Sequence, residues 1–240
     1  MYRGLSVLAV VPVLNEEGKI GRVLARTPRA VVDEILVVDD GSTDRSPEIA
    51  RELGATVLPM GRVAGVGAAL RAGYRYGLDH GYDVVVVMAG NDKDAPEEIP
   101  LLLDPIVDGR ADFVQGSRFL KPRASFGAMP LYRRIATRVH PFLFSLAARR
   151  WVTESTNGFR AVHRRVLTDA RLDLSPTWLD AYELEPFLYL RAIQLGYRTA
   201  EVPVTKVYPA RHLGQTKMTP IIGWWSILRP LVYAGLRPRR

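Results

Sequence analysis

Polar residues able to bind or position a substrate fall directly after the apolar runs in the first half of the chain. They are Asn15-Glu16-Glu17 after the run 5–11, Asp39-Asp40-Gly41-Ser42 after 34–38, Asn91-Asp92-Lys93-Asp94 after 83–88, and Gly116-Ser117-Arg118 after 112–115. A carboxylate accepts hydrogen bonds from a base N–H or a ribose hydroxyl, which a basic side chain cannot do, so Glu16 and Asp40 are candidates for a nucleoside pocket. A turn over 39–42, with Ser42 or Thr43 capping the next helix, explains the same residues structurally, and the two roles are compatible. Gly65 and Gly67, near Arg62, would let backbone approach a nucleotide. Asn91 with Asp92 or Asp94 offers oxygen ligands for a hard cation, and Lys93 offers a positive charge of its own. Arg118, Arg133 or Arg134, Arg211 and Lys217 form a cationic set suited to phosphate oxygens. Glu154 is the candidate general base should the acceptor be a hydroxyl; a pairing with a nearby arginine is its structural alternative. A phosphate acceptor is already an anion and needs orientation more than deprotonation.

These residues require a scaffold that brings strand ends together. Apolar runs at 5–11, 34–38, 56–58, 83–88 and 112–115 alternate with amphipathic stretches at 19–26, 47–53, 68–78 and 97–106. Such alternation predicts βαβ units, a mostly parallel central sheet and helices on both faces. Ligands of open parallel sheets sit beyond the carboxyl ends of the strands, where the polar residues fall. The second half is less regular, with helices expected at 131–149 and 181–195, a turn at 158–160 and a strand at 199–204. No Pro/Gly/Ser-rich linker divides the chain, so a single α/β domain over residues 1–217 is expected. An aromatic and basic helix follows over 218–240, interrupted by Arg229-Pro230. Its short apolar stretch and internal Arg-Pro make it a poor membrane span, while the tryptophans and terminal arginines suit the membrane interface; packing on the domain surface or on a second subunit of a homo-oligomer is the alternative.

The 240 residues carry 48% hydrophobic and 24% charged side chains, enough for an ordinary core. The formal net charge of +8 favours phosphate-rich ligands: nucleotides, nucleic acid or an anionic membrane surface. Nucleic acid is not expected, because no stacking-aromatic motif or recognition helix is present. The chain has no cysteine and four scattered histidines, which excludes disulfides and thiolate chemistry, argues against zinc sites and suits a reducing, cytoplasmic setting. The apolar N-terminal run meets Asn15-Glu16-Glu17 with no cleavage-type sequence and reads as a strand.

Val11-Pro12-Val13-Leu14-Asn15-Glu16, followed by Val37-Val38-Asp39-Asp40-Gly41-Ser42-Thr43-Asp44, resembles the start of family-two glycosyltransferases of the GT-A fold. The likeness continues through Gly65-Val66-Gly67-Ala68-Ala69, Pro96-Glu97-Glu98-Ile99-Pro100, Gly116-Ser117-Arg118, Gly158-Phe159-Arg160 and Glu201-Val202-Pro203-Val204, nearly the whole chain. Within the family it is nearest to the dolichol-phosphate mannosyltransferase and polyprenyl-phosphate glucosyltransferase group, whose Gly-x-Ser-Lys element looks like Gly214-Gln215-Thr216-Lys217. The resemblance implies a Rossmann-like GT-A domain and inverting transfer from a UDP- or GDP-linked sugar to a polyprenyl phosphate; with no long transmembrane helix expected, an enzyme peripheral to the inner face of the cell membrane, or one that borrows a membrane partner, is expected. It also implies that Pro12 and Leu14 contact the base, with Arg118 and Lys217 at phosphates. Glu154 stands where relatives commonly carry Asp. The family usually has an Asp-x-Asp that grips a divalent cation, and here Ala89-Gly90-Asn91 occupies that element. Mg²⁺ or Mn²⁺ held by Asn91, Asp92 and Asp94 therefore stands beside a clamp through Lys93. A soluble sugar, glycan or metabolite acceptor, and a non-catalytic nucleotide-sugar-binding paralogue, are the alternative functions.

Overall fold

The computed structural model describes residues 1–121, 127, 129–208 and 222–235, with the side chains of 133, 222, 224, 234 and 235 excepted. The expected alternation is present: β1 (Val7–Val13), α1 (Glu17–Arg26), β2 (Glu34–Asp39), α2 (Ser46–Glu52), β3 (Thr56–Pro59), α3 (Val66–Asp79) and β4 (Val84–Val87). Then follow α4 (Ile99–Val107), β5 (Phe113–Ser117), α5 (Leu131–Ala148), β6 (Arg160–His163), α6 (Arg164–Leu167), α7 (Leu184–Gln194), β7 (Thr199–Pro203) and α8 (Ile222–Gly235).

The strands form one seven-stranded sheet in the order β3-β2-β1-β4-β6-β5-β7. Only β6 runs antiparallel, pairing Val84 with His163 and Phe113 with Val162. Successive residues of a strand face opposite sides. Accordingly Val7, Ala9, Val11 and Val13 join the core under α1 and α4, while Leu8 and Val10 join the core under α3, α5 and α7. Burial on both faces explains why the strands read as continuous apolar runs.

β6 and the short α6 after it are absent from the sequence expectations, and β6 opens on the last residue of the turn expected at 158–160. A strand opening on a buried arginine lacks the usual apolar signature. Arg160 is accommodated because its guanidinium donates to the Glu185 carbonyl at 2.8 Å, the Asn157 carbonyl at 2.8 Å and Glu185 Oε1 at 3.0 Å. β1 also extends through Pro12, despite that residue's missing N–H. Its neighbour β4 ends opposite Val10, so past that point one side of β1 is open and needs no donor. The strand order reverses between β1 and β4, and the crevice that opens there is the topological switch point where open α/β sheets bind ligands.

The described part of the C-terminal segment, α8, packs against α5 and α7. The Arg229 guanidinium lies 5.1 Å from the Trp178 ring and 5.3 Å from Tyr233, and those two rings stack at 5.4 Å. Buried His140 of α5 ties α8 down. The Ile227 carbonyl can only accept, so His140 Nε2 donates to it at 2.8 Å and Nδ1 accepts from Ser155 Oγ at 2.7 Å. Burial pushes the His140 pKa down, which favours the neutral ring.

Candidate active site

The loops after β1 and β2 are zipped together and form one wall of a cavity. Asn15, held at φ +50°, accepts from Thr43 N at 2.8 Å, and Ser46 Oγ accepts from Glu16 N at 2.7 Å. Asp39 accepts from Ser42 N at 2.9 Å, the turn role foreseen for this segment. Asp40 does something else: its carboxylate accepts from Ala64 N at 2.7 Å and Gly65 N at 3.0 Å. This fixes the turn before α3, where Gly65 has φ +105° and a Cβ would lie 2.4 Å from the Asp180 carbonyl oxygen. The resulting cavity of about 420 Å³ is lined by Pro12, Leu14, Glu16, Asp40, Gly65, Asn91 and Lys93, together with Lys19, Val63 and Tyr182. Seven residues singled out from sequence thus meet in one place. Glu16 also pairs with Lys19 Nζ at 2.7 Å.

Gly67 does not belong to this lining. A Cβ there would lie 1.9 Å from the Leu179 carbonyl oxygen, so Gly67 lets α3 close against 179–181, and Ala68 N donates to the Asp180 carbonyl at 3.1 Å. Its contribution is indirect: the segment it admits supplies Ala181 and Tyr182 to the cavity wall.

A second compartment of about 200 Å³ shares Pro12, Asn91, Lys93 and Tyr182 with the first and extends to Arg118, Lys206, Tyr208 and Ile227. Arg118 is 2% exposed, and its Nε donates to Glu154 Oε2 at 2.5 Å. Burial opposes the Arg118 charge, but Glu154 and Tyr208 outweigh it and hold the guanidinium above its ordinary range. Glu154 is itself 0% exposed, and its Oε1 accepts from Ser155 N at 3.0 Å, Thr156 N at 2.8 Å and Thr156 Oγ1 at 2.9 Å. Both oxygens are engaged and the residue lines neither cavity, an arrangement that matches the arginine pairing considered as its structural alternative. Glu201 braces the same loop by accepting from Thr153 N at 2.8 Å and Glu154 N at 2.8 Å, with its pKa raised by burial.

The three residues considered as metal ligands are not brought together. Asp92, at φ +59°, pairs with Arg22 at 2.7 Å and Arg26 at 3.1 Å on α1. Asp94 pairs with Lys206 at 2.6 Å and accepts from Ala89 N at 3.2 Å. Asn91 Oδ1 alone of the set is a buried oxygen without a hydrogen-bond partner. With both carboxylates already paired to cations and Asn91 Oδ1 the one unpartnered oxygen of the three, this donor set does not fit a resident divalent cation. Arg134 is exposed on α5 and lines neither cavity. Arg211, Lys217 and the Arg133 side chain lie outside the described residues.

Residues 8–170 match the family described as glycosyl transferase family 2. The chain is a family-2 glycosyltransferase. The transferase is 34% identical over 219 residues to the polyprenol monophosphomannose synthase of Mycolicibacterium smegmatis, covering 88% of this chain and 80% of the relative. It is 35% identical to a dolichyl-phosphate hexose transferase of Haloferax volcanii, covering 98% of this chain and 96% of the relative. An undecaprenyl-phosphate mannosyltransferase of Micrococcus luteus is 32% identical over 90% of the transferase and 88% of its own length. In fold, the transferase is similar to glucosyl-3-phosphoglycerate synthase of Mycobacterium tuberculosis, with TM-score 0.73 and 24% identity over 98% of this chain and 81% of that one. That synthase has also been solved with Mn²⁺, UDP and glucosyl-3-phosphoglycerate.

Cavity-lining residues that sequence reasoning passed over are Lys206, Tyr182 and Tyr208, and Asn157, which lines neither cavity, accepts from Lys206 Nζ. Lys206 follows β7 and Asn157 precedes β6, so the rule that polar residues after parallel strands line the crevice could have found the first but not the second.

Proposed function

We propose that this transferase moves a sugar from a nucleoside-diphosphate sugar to a polyprenyl phosphate, by single displacement with inversion. The larger cavity takes the nucleoside: Pro12 and Leu14 give apolar contact to the base, and Glu16 and Asp40 accept from its N–H groups or the ribose hydroxyls. The second compartment takes the reacting phosphates against Arg118, Lys93 and Lys206. One observation carries the choice of acceptor. Among the described residues the only carboxylate lining this compartment is Glu185, which is paired with Arg160 at 3.0 Å. A hydroxyl acceptor wants a carboxylate base within reach; a phosphate acceptor wants cations and no base.

The lipid part of the acceptor has a matching surface. Thr137 and Ile227 line the cationic compartment, and their neighbours Ala136 and Leu228 line an apolar groove with Ile135, Val139 and Leu143. The outer face of α5 exposes Leu131, Tyr132, Ile135, Val139, Phe142 and Leu146 at helical spacing, with Trp225, Val232 and Tyr233 exposed on α8. No described helix is long and apolar enough to cross a membrane, and this face suits binding at the membrane surface. The curated relatives named for polyprenol, dolichyl and undecaprenyl phosphate support the same reading.

The test is transfer from a panel of UDP- and GDP-linked hexoses to a short polyprenyl phosphate in detergent, with the corresponding polyprenol and soluble sugars in parallel, read by mass spectrometry. The expected product is a hexosyl polyprenyl phosphate, with none formed from the alcohol. Product on the alcohol or on a soluble sugar alone would overturn the proposal.

A further inference from the structure

The element that usually grips a cation in this family has lost its carboxylates, and the residues now around it carry positive charge. Lys93 follows β4, Arg118 follows β5 and Lys206 follows β7, and all three line the compartment that also contains Asn91. The two lysines are held from separate directions. Lys206 Nζ donates to Asp94 Oδ1 at 2.6 Å and Asn157 Oδ1 at 2.8 Å, with its side chain 9% exposed. Lys93 is 7% exposed, with Nζ 5.0 Å from the centre of the Tyr208 ring. A backbone link, Val207 N to the Lys93 carbonyl at 2.9 Å, and a bridge between Asp94 and Lys206 bind the two segments to each other. Asp92 is drawn away to Arg22 and Arg26, and Asp94 is neutralised by Lys206. A divalent cation entering here would meet two ammonium groups in a poorly solvated space, where like charges repel strongly and few free oxygens compensate.

We propose that the transferase works without a divalent cation, and that Lys93 and Lys206 contact the donor diphosphate in its place. Asp94 and Asn157 act as positioning residues for Lys206. The sugar's anomeric carbon loses its bond to the β-phosphate oxygen and gains one to the acceptor. The electron pair left on the departing nucleoside diphosphate is stabilised by the two ammonium groups, whose charge is present before reaction and needs no reorganisation. Asn91, with its unpartnered Oδ1 at the junction of both compartments, provides an acceptor for a donor hydroxyl. This inference rests on reading the site as that of a nucleotide-sugar transferase, and the experiment separates the two.

Calorimetric binding of UDP and GDP is measured on chelator-treated protein, in EDTA and again in millimolar Mn²⁺ or Mg²⁺, for the wild type, Lys93→Met and the paired variant Asp94→Asn/Lys206→Met. The pair removes both members of the buried ion pair, so no lone charge is left to unfold the chain. One nucleotide is expected to bind in EDTA within about twofold of its affinity with metal, and each variant to bind it at least tenfold more weakly at an unchanged melting temperature. Binding that appears only with metal, or variants that bind like the wild type, would overturn the cation-free site while leaving the transferase reading intact. No binding of either nucleotide under any condition would overturn the reading of this site as one for a UDP- or GDP-linked sugar.

Discussion

Glu154→Ala is expected to destabilise the protein by about 3–5 kcal/mol, the cost of leaving one member of a buried ion pair without its partner. The Arg118 guanidinium, 2% exposed, would keep its charge with only long contacts to Tyr208 Oη at 3.5 Å and Thr156 Oγ1 at 3.4 Å. The N–H groups of Ser155 and Thr156 would lose their acceptor as well. At roughly 2–4 °C per kcal/mol for a chain of this size, the melting temperature should fall by roughly 10 °C. Glu154→Gln keeps the shape and one acceptor oxygen, so its loss should be smaller. A general base would behave differently: Glu154→Gln would leave the melting temperature alone and abolish the acidic limb of the rate profile. Thermal melts of both variants, set beside pH–rate profiles, separate a positioning carboxylate from a proton acceptor.

The second large effect is expected at Asp40. Asp40→Ala removes the acceptor shared by Ala64 N and Gly65 N, which releases the turn that carries Val63, Gly65 and Val66 into the larger cavity. It also deletes a carboxylate proposed to accept from the nucleoside. Hydrogen bonds to a charged acceptor contribute about 1.5–3 kcal/mol each, so nucleotide affinity should fall by at least tenfold, equivalent to about 1.4 kcal/mol. Asp40→Asn, which retains one carbonyl oxygen, should lie between. Calorimetry with UDP and GDP reads both; wild-type affinity in Asp40→Ala would place the nucleoside elsewhere.

Much of this site is legible in the sequence because a parallel sheet ties chemistry to position. Once the apolar runs at β1, β2 and β4 are recognised, Pro12, Leu14, Glu16, Asp40, Asn91 and Lys93 must gather at one edge, and they line one cavity. Gly65 is there for the same reason, whereas Gly67 lies outside the lining and faces the Leu179 backbone. A glycine at the start of a helix serves equally to admit a ligand or to admit another backbone, and only the proximity of Leu179 decides between them.

An arginine partner for Glu154 is foreseen, but which arginine it is, and that Asp94 meets Lys206, is hidden because these contacts join distant segments. Glu154 and Arg118 are 36 residues apart, and Lys206 and Asp94 are 112 apart, so spacing says nothing about either contact. The run Asn91-Asp92-Lys93-Asp94 looks like an oxygen-rich ligand set until Arg22, Arg26 and Lys206 are seen to claim its carboxylates. β6 escaped because Arg160, buried and bonded to Glu185, breaks the apolar pattern by which the other strands are recognised. The apolar outer face of α5 follows from helical spacing of Ile135, Val139, Phe142 and Leu146, but whether that face meets the core or solvent depends on tertiary packing.

Transfer to a phosphate oxygen by single displacement has a chemical signature in the released nucleotide and in the anomer formed. With the nucleotide-sugar donor identified and a short polyprenyl phosphate as acceptor, the by-product is separated by chromatography and the anomeric configuration of the lipid product is read by NMR. Release of the nucleoside diphosphate with an inverted anomeric centre on a polyprenyl monophosphate is the predicted result. Release of a nucleoside monophosphate with a polyprenyl diphosphate product, or retention of the donor's configuration, would contradict it.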